Sequence, residues 1–190
     1  KHTILDCYTD EPAGLGVPPY LGTYPRYIAG CLNERVYYLT IDDLRLFRKN
    51  NSIIKETKPS QKTDITTYNL TINYKNIQKI LENTNTLIVV LGVHVPGKYL
   101  SAVPGTLHEI IPMIKELKCR KILTGPAVFG TQLFGGRFYE KADLGVFDKV
   151  DYSMFNFKYG DVKGYAIKGT SIIKQIPDYR MIEIETGHGC

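Results

Sequence analysis

The sequence predicts an α/β protein with a doubly wound, mostly parallel sheet of five strands. Short apolar runs alternate along the chain with segments of 10 to 15 residues that have helical periodicity. Glycine-containing loops follow the first, third and fourth of these apolar runs. Strands that alternate with helices pair in parallel, because right-handed crossovers place the helices on the faces of the sheet.

The first half of the chain contains two predicted strands and three predicted helices. In chain order these are a strand at 3–8, a helix at 24–34, a strand at 36–41, a helix that begins at Asp42 and Asp43, and a helix at 74–82. Pro25 suits the first turn of its helix, where a missing N–H costs nothing. The two aspartates suit a helix start. The polar stretch 50–64 has few apolar residues to bury, so we expect a surface loop there.

The second half contains three more predicted strands and one helix. In order these are a strand at 87–91, a helix at 105–118, a strand at 121–124 and a short fifth strand at 143–148. We assign residues 1–150 to one α/β domain and residues 151–190 to a β-rich extension. The tyrosine-rich stretch 152–176 is expected to form short antiparallel strands or a hairpin, and 181–186 a final strand.

Charge, hydropathy and cysteine spacing limit the function classes. The net charge of +5 comes from basic residues scattered mainly at predicted helix ends, so nucleic-acid binding is not expected. The longest apolar run, 86–93, is shorter than the ~18 residues that a membrane span needs, and no signal peptide is recognised. We therefore expect a cytoplasmic protein. Its four cysteines are widely spaced, which argues against a disulfide framework.

Candidate binding residues follow the predicted strands, because ligands of such sheets bind at the carboxyl ends of the strands. They are Asp10, Glu11, Gly14 and Gly16 after strand one, Gly92, His94 and Gly97 after strand three, and Gly125 after strand four. Glycines there let the backbone approach a phosphate or a flat cofactor. The alternative is that these glycines only form tight turns. The chain has neither a P-loop nor a complete dinucleotide fingerprint.

Several motifs together resemble a known family. They are LDCYTDEP at 5–12, LGVPPY at 15–20, YPRYIAG at 24–30, LGVHVPGKY at 91–99, Gly125-Pro126, and ETGHGC at 185–190. These segments are similar to the N-terminal part of a group of archaeal and bacterial radical S-adenosylmethionine (radical SAM) proteins. In that group a cobalamin-binding-like α/β domain, related in shape to flavodoxin, precedes a partial barrel. The similarity spans nearly the whole chain, although arginine is commoner where His188 stands.

The resemblance implies that Cys190 is the first of three cysteines that ligate a [4Fe–4S] cluster, whose open iron site takes S-adenosylmethionine. On this interpretation the chain is cut at the first cluster cysteine. The missing barrel is then its partner, and this chain alone is not expected to be active. Substrate and reaction type would be encoded in the barrel, so methyl transfer, sulfur insertion and rearrangement all stay open.

Cobalamin is a second cofactor that the resemblance raises. Cobalamin domains that ligate cobalt through histidine carry Asp-x-His-x-x-Gly after the first strand. Here His94 and Gly97 keep the His-x-x-Gly spacing, but they follow a later strand and Gly92 takes the place of the aspartate. The leading hypothesis is an accessory domain that holds a corrinoid or a substrate. The alternative is a non-catalytic, flavodoxin-like module that binds a nucleotide, a flavin or a protein partner.

Overall fold

A five-stranded parallel sheet forms the centre of the protein. The computed structural model describes residues 1–7, 21–32, 34–49, 70–92, 105–125, 128, 144–151, 155 and 158–176. The strands are β1 (His2–Asp6), β2 (Val36–Thr40), β3 (Thr86–Val90), β4 (Arg120–Thr124) and β5 (Lys149–Val150). They lie in the order β2-β1-β3-β4-β5, and every neighbouring pair is parallel. The predicted α/β doubly wound fold is confirmed.

Five α-helices of the described residues accompany the sheet. They are α1 (Thr23–Leu32), α2 (Ile41–Lys49), α3 (Ile77–Glu82), α4 (Leu107–Ile114) and α5 (Val162–Lys168). Short 3₁₀ helices span Ile72–Asn76, Leu144–Val146, Tyr159–Asp161 and Gly169–Gln175. No helix in these described ranges is long and apolar enough to cross a membrane.

Each face of the sheet is buried beneath its own helices. Successive side chains of a strand point to opposite faces, so Leu5 and Ile4 enter different cores. The first face, which includes Leu5, packs under α2, α3 and α4. The second face, which includes Ile4, packs under α1 and the 3₁₀ helix Gly169–Gln175. Burial on both faces explains why the strands are continuous apolar runs.

The fifth strand lies later in the chain than predicted. We expected it at 143–148, but 144–146 form a 3₁₀ helix and β5 begins at Lys149. Asp148 makes two hydrogen bonds to the backbone of Lys121 in β4. Its N–H donates to the Lys121 carbonyl at 2.9 Å, and its side-chain Oδ2 accepts the Lys121 N–H at 2.7 Å. Asp151 N–H then donates to the Leu123 carbonyl at 2.8 Å. These contacts set the pairing of β5 with β4.

The stretch 152–176 was predicted to form short antiparallel strands or a hairpin, but residues 159–175 are helical instead. Helix α5 and the 3₁₀ helix after it pack closely on α1. A Cβ added at Gly30 would overlap the Tyr165 carbonyl, and a Cβ added at Gly169 would overlap the Arg26 carbonyl. Ile172 and Ile176 complete the second core. The predicted final strand at 181–186 lies outside the described residues.

The outer edge of β2 is covered by two amide side chains. Gln175 Oε1 accepts the Tyr38 N–H at 3.0 Å, and Gln175 Nε2 donates to the Val36 carbonyl at 2.9 Å. Asn73 Nδ2 donates to the Tyr38 carbonyl at 2.9 Å and to Gln175 Oε1 at 2.7 Å. Gln175 thus bonds the edge as a neighbouring strand would, which removes bonding groups that could pair with another chain.

Candidate ligand site at the carboxyl edge of the sheet

The strand order reverses between β1 and β3, which makes their carboxyl ends the point where a doubly wound sheet opens a crevice. From β1 the chain continues into α1 on the second face, and from β3 it continues to α4 on the first face. Helices that leave in opposite directions leave room between them. We therefore describe this edge as the candidate site.

A row of four paired residues closes the carboxyl end of the sheet. Asp6 of β1 pairs with Thr40 of β2 and Val90 of β3, and Val90 pairs with Thr124 of β4. Three of the four are polar and all four are buried. Buried polar side chains require hydrogen-bond partners, so such a row is costly unless it is well ordered.

Asp6 is the central polar group of this row. Its side chain is 1% exposed, and its Oδ2 accepts the hydroxyl of Tyr38, another buried residue, at 2.6 Å. The short hydrogen bond holds the carboxyl group in one orientation on β1, one of the two strands between which the strand order reverses. Asp6 was not predicted as a site residue, because it lies inside an apolar run and is indistinguishable there from a solvent-facing strand residue.

The two described candidate glycines lie where they were predicted, directly after β3 and β4. Gly92 has φ of 115° and Gly125 has φ of 106°, a conformation that L side chains rarely adopt. A Cβ at Gly125 would lie 2.5 Å from the Leu91 carbonyl oxygen. Leu91 N–H also donates to the Thr124 carbonyl at 2.9 Å. Turn geometry and close backbone packing therefore account for Gly125 without a ligand.

Helix α4 begins against the end of β1. Gly105 N–H donates to the Cys7 carbonyl at 2.9 Å, and Thr106 caps the helix by accepting the Glu109 N–H on its side chain at 3.3 Å. A Cβ at Gly105 would contact Ile41, Cys7 and Ile110 at 3.0 to 3.1 Å. The first face of the edge is therefore closely packed beside β1.

Cys7 is a small hydrophobic residue in this packing, as predicted. It is fully buried, and burial followed by the nearby Asp6 charge raises the pKa of its thiol well above the usual value. A thiol that stays protonated is neither a nucleophile nor a metal ligand, since both roles need the thiolate.

Arg45 joins the starts of α2 and α4 on the first face. Its Nε and Nη2 donate to the two carboxylate oxygens of Glu109 at 2.7 and 2.8 Å, and its Nη1 donates to Asp42 at 3.0 Å. Burial alone would lower the pKa of Arg45, but the bonds to Glu109 and Asp42 raise it above its ordinary value. The guanidinium is thus a fixed cation that is already neutralised by two carboxylates.

Asp43 is a buried capping residue rather than a ligand candidate. Its Oδ2 accepts the Thr40 N–H at 2.8 Å while its own N–H donates to Thr40 Oγ1 at 3.3 Å, which forms a capping box. Its Oδ1 accepts the Thr71 N–H at 2.9 Å. Burial raises the pKa of Asp43 to about 6, against the bonds from Thr40 and Thr71, which lower it. The spacing Thr40-x-x-Asp43 was the signal that could have found this cap.

A second buried carboxylate follows β5. Asp151 is 1% exposed, its Oδ2 accepts the Phe155 N–H at 2.7 Å, and its Oδ1 lies 3.0 Å from Lys149 Nζ. Phe155 has φ of 60°, an uncommon conformation for a residue with a side chain. Thr124 Oγ1 donates to the Asp151 carbonyl at 3.4 Å, so this group continues the polar row. Asp151 was not predicted as a site residue, because the fifth strand was expected too early in the chain.

The other predicted site residues cannot be located relative to this edge. Asp10, Glu11, Gly14, Gly16, His94, Gly97 and Cys190 lie outside the described residues. Their proposed roles therefore stay predictions. Within the described ranges, no group of three His, Cys, Asp or Glu side chains is placed to hold a metal ion.

Two archaeal proteins are similar to this chain. An uncharacterized protein of Methanocaldococcus jannaschii is 34% identical over an alignment 216 positions long, which covers 98% of this chain and 34% of that protein. An uncharacterized protein of Archaeoglobus fulgidus is 32% identical over an alignment 199 positions long, which covers 100% of this chain and 32% of that protein. The chain thus spans about a third of the length of these relatives. No protein-family model and no solved structure matches it.

Proposed function

We propose that this chain is an accessory α/β domain of a radical SAM iron–sulfur protein, and that it holds a corrinoid or a substrate at the carboxyl edge between β1 and β3. The observation that carries the binding role is the order β2-β1-β3-β4-β5, with its reversal between β1 and β3. In sheets of this order the ligand lies at that reversal. The proposal includes a cytoplasmic location, where free thiols such as Cys7, Cys31 and Cys119 persist.

The length of the relatives supports an accessory role for this domain. Two relatives match this chain over only about a third of their own length, so in them the matching region is one part of a larger protein. In the proposal, the iron–sulfur chemistry belongs to that larger part. Cys190 would supply the first cluster ligand there. Cys7 does not fit that role, because its buried thiol resists ionisation.

The chemistry of the edge bears on the class of ligand. Asp6 is a fixed carboxyl group in the row that closes the sheet, where it accepts the Tyr38 hydroxyl. We propose that the amide groups around a corrin ring, which donate hydrogen bonds, are the ligand groups nearest this carboxyl group. When bound, a corrinoid would supply methyl-transfer or radical chemistry, while this chain binds and orients it.

The second candidate is a flavodoxin-like binding module without catalytic activity. The sheet order favours it equally, because the same order binds a flavin nucleotide at the same reversal in other proteins. The two candidate functions differ in the ligand, but both place it at the carboxyl edge between β1 and β3.

An NMR titration of the ¹⁵N-labelled protein separates these candidates. Hydroxocobalamin, flavin mononucleotide and S-adenosylmethionine are added in separate experiments, and amide shifts are followed at both ends of the sheet. The proposal expects hydroxocobalamin to shift the amides of Leu91, Gly92, Gly105 and Gly125, while Thr84 and Asn85 at the opposite edge serve as the internal control. Shifts with the flavin alone would favour the second candidate. Shifts confined to the opposite edge, or none with any ligand, would contradict both.

A further inference from the structure

The outward side of the C-terminal helices carries a charged surface that the candidate site does not use. We call it the lysine face and define it by the exposed residues Lys158, Gly160, Lys163, Gly164, Ile167, Lys168 and Lys174. Gly160, Lys163, Gly164, Ile167 and Lys168 follow one another at helical spacings of three and four, so they share one side. The opposite side of these helices packs on α1.

The lysine face is positively charged. Residues 158–176 contain four lysines and one acid, Asp161, for a net charge of +3. Such a surface attracts an acidic partner.

The middle of the lysine face is shaped for close contact with another protein surface. Ile167 is 61% exposed, the most exposed of the large hydrophobic residues in the described part of the chain. A Cβ added at Gly160 or Gly164 would meet nothing within 4 Å, so the surface beside Ile167 is open. An apolar side chain with open backbone beside it, ringed by charges, has the composition of a protein interface, with an apolar centre and a polar rim.

We infer that the lysine face docks the rest of the protein to which this domain belongs, through a surface that carries carboxylates around an apolar contact. The inference rests on the proposed function in one respect, that this chain is one domain of a larger protein. The relatives, about two thirds of whose length lies outside the match, supply the occupant. Interfaces between domains of one chain are small and polar, as this face is.

Covalent attachment makes a modest surface sufficient. A linked domain is present at an effective concentration in the millimolar range, so contacts with a dissociation constant of about 0.1 mM keep the face occupied about nine tenths of the time. One exposed isoleucine with four lysines is too little for tight binding of a free protein. It suffices for a tethered one.

Lysine labelling of the full-length protein tests this docking. The protein is treated briefly with a limiting amount of an acetylating reagent, and the modification of each lysine is read by mass spectrometry. Lys79 and Lys118, which are exposed elsewhere on the domain, are the controls. We expect Lys163 and Lys168 to react about ten times more slowly than these controls, as the occupancy requires. Equal rates would overturn the inference.

A pair of variants separates docking from local effects. Ile167→Asp in the full-length protein is expected to raise the labelling of Lys163 and Lys168 to the control rate. Ile72→Asp, at a residue 51% exposed on another surface, is expected to leave them slow. If both variants, or neither, restore labelling, the face does not act as inferred.

Two further outcomes distinguish the possible occupants and the two proposals. If Lys163 and Lys168 react at the control rate and become slow only when RNA or vesicles with anionic lipids are added, the partner carries phosphate and the inference is wrong. Iron and S-adenosylmethionine binding are measured on the same sample. Binding of both with unprotected lysines overturns the docking alone, whereas protected lysines without iron would support the docking and overturn the proposed function.

Discussion

The two faces of the sheet are covered in different ways. On the first face, α2, α3 and α4 connect successive strands and insert apolar side chains such as Ile80 and Ile110. On the second face, α1 and the C-terminal helices come from opposite ends of the described chain. They meet backbone to backbone at Gly30 and Gly169. The first face therefore depends on side-chain volume, and the second also depends on the absence of two Cβ atoms.

The first prediction, with the largest expected effect, asks whether both faces contribute equally to the core. Ile110→Ala on the first face and Ile172→Ala on the second each remove a fully buried side chain. Each is expected to lower the free energy of unfolding by about 3 kcal/mol, from lost burial and the cavity left behind. Urea unfolding followed by circular dichroism measures this.

The matched control for both is Ile167→Ala, at an exposed position of α5. It should change stability by less than about 0.5 kcal/mol. A small effect of Ile172→Ala beside a large effect of Ile110→Ala would mean that the C-terminal helices do not belong to the folded core.

The second prediction concerns the first face, where Asp43 holds the start of α2. Its folded pKa, about 6, lies above the value of an unfolded aspartate, about 3.9. Below about pH 3.9 the carboxyl group is protonated in both states, and the fold keeps its full stability. As the pH rises to about 6, the unfolded state ionises first, which lowers the free energy of unfolding. We expect the unfolding free energy of the wild type to fall by about 2 kcal/mol across this window relative to Asp43→Asn. Urea unfolding at several pH values measures it.

Asp161→Asn, which removes an exposed carboxylate, is the control for that series. It should keep the pH dependence of the wild type. If Asp43→Asn keeps it too, Asp43 is ionised in the fold throughout this window and its bonds with Thr40 and Thr71 outweigh its burial.

The third prediction isolates the close contact of the second face. Gly30→Ala places a Cβ against the Tyr165 carbonyl, so α1 and α5 must separate. We expect a loss of about 2 kcal/mol, the typical cost of an overpacked contact. Gly164→Ala makes the same chemical change in open space, where alanine favours the helix, and should stabilise by about 0.5 to 1 kcal/mol. Thermal unfolding of the two variants gives the comparison. If both variants change the stability in the same direction, the close packing of α1 on α5 is refuted.

The fourth prediction has the smallest effect on stability and concerns the edge where both faces meet β2. Gln175→Ala removes the side chain that bonds the Tyr38 N–H and the Val36 carbonyl, at a cost of about 1 kcal/mol. The freed edge should pair with a second copy, so light scattering after size exclusion should show dimers that grow with concentration. Thr170→Ala, exposed on the same 3₁₀ helix, should stay like the wild type. A monomeric Gln175→Ala would show that the edge is protected by other means.

The contrast between the faces also explains what could be predicted from the sequence. Helices of the first face have apolar residues at helical spacing, so they were found. Helix α5 has Ile167 exposed and Gly164 in its interior, and it approaches α1 through its backbone. None of this leaves an apolar pattern, and the many tyrosines nearby suggested strands instead.

The candidate site was predictable in place but only partly in its residues. Apolar runs followed by glycine identify the carboxyl edge, and Gly92 and Gly125 lie there with positive φ. Asp6 owes its role to Tyr38, which is 32 residues away along the chain. Asp151 owes its role to the register of β5 on β4. Such partners are fixed by tertiary packing, which local sequence patterns do not contain.

Iron binding by the full-length protein is the sharpest test of the proposed radical SAM function. The protein is reconstituted with iron and sulfide without oxygen, and iron and the visible spectrum are measured for the wild type, Cys190→Ser and Cys119→Ser. S-adenosylmethionine cleavage is then measured with dithionite as the electron donor. We expect about four irons per chain and cleavage for the wild type and for Cys119→Ser, and loss of both for Cys190→Ser. A wild-type protein that binds no cluster, or a Cys190→Ser variant that keeps it, would rule out the proposed role of Cys190.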